Sequence, residues 1–137
     1  MRRLFISLIP ALALSGLAVP AAQAGSPHFV SATATRSGDS LTVTTKEAGL
    51  GNEPQVHVVV SATALCINGG GHNPKAVNKS DVTAAGDFPV QNGHADATLT
   101  LTANFQPPCS PPMTVQFTNV SVTDTTNNIS RSFPGTF

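Results

Sequence analysis

The clearest pattern in the chain is the run from Gln55 to Cys66, QVHVVVSATALC. Val56, Val58, Val60, Ala62, Ala64 and Cys66 share one face, while Gln55, His57, Val59, Ser61 and Thr63 share the other. Successive side chains of a strand point to opposite faces, so this period of two predicts a long strand with Cys66 turned inward. Weaker copies of the pattern flank it. His28 to Thr35 reads as a first strand, Ser37-Gly38-Asp39 as a tight turn, and Leu41, Val43 and Thr45 as one face of a second strand. The segment KEAGLGNEP, residues 46–54, reads as a polar link. Val82 to Val90 reads as an irregular edge segment, because Gly86 and Pro89 are poor residues for a central strand.

Asn92-Gly93 marks another turn. Beyond it Ala95, Ala97, Leu99, Leu101 and Ala103 alternate with Asp96, Thr98, Thr100 and Thr102. Met113, Val115 and Phe117 then give way to Val120 and Val122. The change of parity at Thr118-Asn119 predicts a bulge or a crossing between sheets. Ile129 to Phe133 forms a last strand. No helical period appears. About seven short strands separated by turn residues are the pattern of an all-β chain, an antiparallel sandwich resembling the immunoglobulin-like class. The chain departs from true immunoglobulin domains in having no Trp, and it also has no Tyr.

The first residues do not belong to that pattern. Arg2 and Arg3 precede an apolar run from Leu4 to Val19, and Ala22-Gln23-Ala24 supplies small residues for cleavage. This is the form of a secretory signal peptide, with cleavage expected between Ala24 and Gly25. The run is too short and too interrupted by Pro10 and Gly16 to serve as a membrane span. The expectation is therefore residues 1–24 as signal and 25–137 as a single secreted, extracellular domain. Signal peptide, GSPHF, one cysteine pair and a terminal SFPGTF together resemble small exported proteins of high-GC Gram-positive bacteria, a resemblance that implies no activity.

Without the signal, five Lys and Arg face seven Asp and Glu, with no basic cluster. Nucleic acid and anionic membranes both demand a positive surface, so neither is an expected partner. Cys66 and Cys109 are the only cysteines, and an oxidising destination predicts that they pair. Closing that loop is worth roughly 4 kcal/mol in the chain-entropy description.

Four stretches invite chemistry. Gly69-Gly70-Gly71-His72 opens a polar loop that could hold a ligand, but Pro74 and the lack of a following helical period fit no phosphate cradle. The glycines read instead as a tight reversal. The four histidines, His28, His57, His72 and His94, are scattered; a metal site would have to combine His72 or His94 with Asp87 or Asp96, and none is expected. Hydrolysis would need carboxylates such as Glu47 and Glu53 to converge in a cleft, or an acid to orient His57 toward Ser61. Last, PPCSPPMTV places Pro111, Pro112 and Met113 beside a disulfide. That stiffness suits a protease-binding loop over Pro107 to Met113 and is similar to small secreted subtilisin inhibitors, which carry two disulfides where this chain can form one.

The reading that follows is a secreted, non-enzymatic interaction protein with no cofactor. Its partner is an unknown protein or a component of the cell envelope. An inhibitor acting through Pro107 to Met113 is the first alternative, and a weak metal- or ligand-binding module the second.

Overall fold

A computed structural model describes residues 26–68 and 78–137. The expected signal peptide and the Gly69-Gly70-Gly71-His72 loop lie outside the described residues. The described chain is all-β, with strands β1 (His28–Ser37), β2 (Ser40–Ala48), β3 (Gln55–Ile67), β4 (Lys79–Pro89), β5 (Ala95–Thr102), β6 (Thr114–Asp124) and β7 (Ile129–Phe133). They form two antiparallel sheets, one of order β1-β2-β5 and one of order β4-β3-β6-β7. No helix among the described residues is long and apolar enough to cross a membrane.

Hydrophobic alternation sets the two layers. β2 contributes Leu41 and Val43, β3 contributes Val56, Val58, Val60, Ala62 and Ala64, β5 contributes Ala97 and Leu101, and β6 contributes Val115, Phe117, Val120 and Val122, all buried in one core. Burial of these apolar faces at about 25 cal/mol per Å² is the main drive for the sheets to stack. Phe117 is the largest side chain that is fully enclosed.

Several expectations about detail are corrected. β2 runs on to Ala48, three residues into the segment read as a link, because Thr45 and Glu47 keep its alternation and both point inward. β4 lies at a sheet edge as expected but is neither short nor irregular. It pairs continuously with β3 from Gln55↔Pro89 to Leu65↔Lys79. Pro89 falls at the last position of the strand, where no interior ladder bond is lost. Gly86 is hemmed in, since a Cβ there would lie 3.2 Å from the Phe88 ring. The parity change in β6 is a bulge, one of the two arrangements expected there: Ser61 pairs with Ser121 and Thr63 with Thr118, so β6 carries one extra residue between them. Asn119 takes it up with φ 52°, a conformation that Asn tolerates better than most residues. The bulge keeps Val120, Val122 and Asp124 on the buried face of β6.

Candidate functional site

The interlayer space is closed differently at its two ends. At one end Cys66, near the end of β3, is bonded to Cys109 in the link between β5 and β6, as the cysteine count predicts. The Cys66 amide donates to the Asn78 carbonyl at 3.0 Å. Met113 is half-buried against the core, its sulfur 3.7 Å from Cys66 Sγ. The loop before it therefore presents Pro107, Pro108, Ser110, Pro111 and Pro112 to solvent, while Met113 turns inward.

At the other end two acids take the place of apolar residues. Glu47 lies at position 47 of β2, between Phe29 of β1 and Ala95 of β5 in the register, and is 1% exposed. Asp124 ends β6 and is 0% exposed. Asp124 is well supplied with donors. Its Oδ1 accepts the backbone amides of Thr126 at 2.8 Å and Asn127 at 3.1 Å, and its Oδ2 accepts Asn127 Nδ2 at 2.6 Å. The same Asn127 amide donates to Glu53 Oε2 at 2.9 Å, tying the β2–β3 link to the turn after β6. Glu47 differs: neither of its oxygens receives a donor, and Thr45 Oγ1 beside it on β2 is also buried without a partner. The Asp124 carboxyl is close enough to act on it. Burial first, then the neighbouring Asp124 carboxyl and the charge of Glu53, push the Glu47 carboxyl up to about 8.

Glu47 and Glu53 thus do converge, as a hydrolytic site would require, and a third acid that the sequence did not single out joins them. Their geometry does not suit hydrolysis, because acid–base work on a sugar needs both carboxyls open to a substrate lying between them. The Glu47 and Asp124 side chains are shut off from solvent. Asp124 could be found from the sequence only by carrying the alternation of β6 through the bulge, which returns it to the buried face.

The remaining candidates lie apart. His57, on the outer face of β3, pairs with Asp87 of β4 at 2.7 Å, and both are about half exposed. Asp87 is thus the orienting acid that the sequence did not reveal. Ser61 sits four residues farther along the same strand, roughly 13 Å away at the usual strand rise, and bonds Ser121 at 3.0 Å instead. The hydroxyls that do lie near His57, those of Thr125 and Thr126, bond its backbone carbonyl and amide. His94 and Asp96 line an open surface depression with Pro89, Gln91 and Asn92. No group of three or more His, Cys, Asp or Glu side chains suited to holding a metal ion occurs among the described residues.

The outer face of the three-stranded sheet is built from hydroxyls. Thr33, Thr44 and Thr98 lie side by side across β1, β2 and β5, as do Thr35, Thr42 and Thr100, and then Ser37, Ser40 and Thr102. The β2–β5 members are joined by hydrogen bonds: Thr44 to Thr98 at 3.4 Å, Thr42 to Thr100 at 3.2 Å and Ser40 to Thr102 at 3.3 Å. Only the row Ser31, Lys46, Asp96 brings charge to this face at its edge. No family model, curated protein or solved structure matches this chain.

Proposed function

We propose that this chain is a secreted β-sandwich that acts by binding through its outer surface to a protein or cell-envelope partner, without catalysis. The observation that carries this reading is the hydroxyl face of β1, β2 and β5. Threonine is branched at Cβ and stiff at χ1, so little side-chain freedom is lost when such a face is covered. Each hydroxyl can both donate and accept, which suits a partner that is polar and uncharged. The paired cysteines support an oxidising destination, and the Arg2–Ala24 segment supports export. The strand order β1-β2-β5 against β4-β3-β6-β7 supports an immunoglobulin-like sandwich, whose ends and faces commonly serve recognition.

Capture experiments with the domain 25–137 as bait against culture supernatant and isolated cell wall test the reading. A retained component that is lost with Thr42→Lys/Thr100→Lys is the expected result, and retention unaffected by those changes contradicts it. N-terminal sequencing of the exported protein should begin at Gly25. The inhibitor alternative gains nothing from the position of Met113, which packs inward. Inhibition of a secreted serine protease at micromolar protein, abolished by changes at Pro111 and Pro112, would replace the surface reading with it.

A further inference from the structure

Among the described residues, Glu47 is the one buried group whose hydrogen-bonding needs the fold leaves unmet on both oxygens, and such groups in folded proteins call for a specific explanation. Asp124 is satisfied on both of its oxygens by the turn that follows it. Two carboxylates brought together out of water cannot both remain ionised, and one proton held between them supplies the donor that Glu47 lacks. We propose that Glu47 and Asp124 form a proton-shared clasp between the two sheets, which holds this end of the sandwich shut in acid and neutral surroundings and loosens it in alkaline ones.

The surroundings support a proton in that place. The link contributes Glu53, whose charge acts against ionisation of Glu47, and β6 contributes Asp124. β1 and β5 contribute the uncharged neighbours Phe29 and Ala95 in the register. Lys46 and Asp96 point to the outer face, His28 is exposed and bonded to the Ser26 carbonyl, and His57 of β3 faces outward to Asp87. Among the described residues no cation is seen to compensate the pair. A metal ion would be the other species able to satisfy Glu47, but these side chains do not close into a metal-holding group. Loss of the proton leaves two adjacent negative charges in the interlayer. The turn after β6 and the β2–β3 link are joined beside the pair by the Asn127–Glu53 hydrogen bond.

The linkage has a definite sign. A carboxyl whose folded-state pKa is raised from 4.5 to about 8 contributes stability that is fully present below pH 4.5 and lost as the pH rises through 8. Thermal unfolding of the wild-type domain and of Glu47→Gln from pH 4.5 to 9, each with calcium or with chelator, tests the clasp. The Gln amide supplies the missing donor at every pH. The wild-type Tm should fall by about 5–10 °C more than that of Glu47→Gln across the range, whether or not calcium is present. Parallel profiles of the two proteins overturn the proposal. So does a calcium-dependent rise of the wild-type Tm at pH 8 that is absent in Glu47→Gln, since that outcome makes the pair a cation site. Should the variant fail to fold, carbon-13 NMR of the Glu47 carboxyl in the wild-type protein decides: a midpoint near 8 supports the clasp, and one below 6 refutes it.

Discussion

The two ends of the sandwich solve one problem with opposite chemistry. Between them the layers are held by valines and Phe117, which need no partner beyond each other. At the Cys66 end the sheets meet a link through a covalent bond, and the closure is indifferent to pH. At the Glu47 end the same layer finishes in two carboxyls that can adhere only while a proton lies between them. Val58, which pairs with Asp124, and Cys66 lie eight residues apart on β3, so roughly 26 Å of strand separates the two closures. One small core can thus carry a permanent staple at one end and a conditional one at the other.

Substitutions can break this comparison, beginning with the largest effect. Phe117→Ala removes the largest enclosed side chain from the region between the ends, and a loss of about 3–5 kcal/mol is expected, the same at pH 5 and pH 8. Denaturant titration at the two pH values reads both quantities. A strongly pH-dependent loss would mean that the core and the acid end are not separate. Replacing both cysteines by alanine should cost about 3–4 kcal/mol, again without pH dependence, and the wild-type protein under reducing conditions should show a similar loss. If the reduced protein kept nearly all its stability, the sulfur end would be a bystander.

The acid end behaves differently under the same measurement. Glu47→Ala should destabilise the domain at pH 5 through a cavity, yet cost less at pH 8, where it also removes an unwelcome charge. The smallest effect is expected at the hydroxyl face. Thr42→Ala or Thr100→Ala breaks one cross-strand pair exposed to water, and a change of about 0.2–1 kcal/mol is the expected outcome at any pH. That mildness is what makes the face suitable for binding tests, since its variants remain folded.

The two ends also differ in how far they could be read in advance. Two cysteines have one possible partner each, so the sulfur closure follows from counting. The long alternation of Gln55 to Cys66 likewise exposed β3, and the parity change at Asn119 exposed the bulge. The acid closure was hidden because charged residues beside glycines and prolines look like surface. Glu47 falls in a stretch that reads as a polar link, although the inward rhythm of Leu41, Val43 and Thr45 continues through it. Asp124 became legible only after the extra residue in β6 had been counted. β4 was underestimated for a related reason, since Gly86 and Pro89 weaken a strand locally while continuous pairing with β3 sustains it. The His57–Asp87 contact joins neighbouring strands through a register that the separate patterns do not specify.

Hydrogen exchange at single amides offers the most direct test of two unlike closures. The Thr126 and Asn127 amides donate to Asp124 at one end, and the Cys66 amide donates to Asn78 at the other. Protection factors followed from pH 6 to pH 9 should fall at Thr126 and Asn127 while that of Cys66 stays level. Protection that declines equally at both ends, or at neither, would contradict a fold fastened by sulfur on one side and by a shared proton on the other.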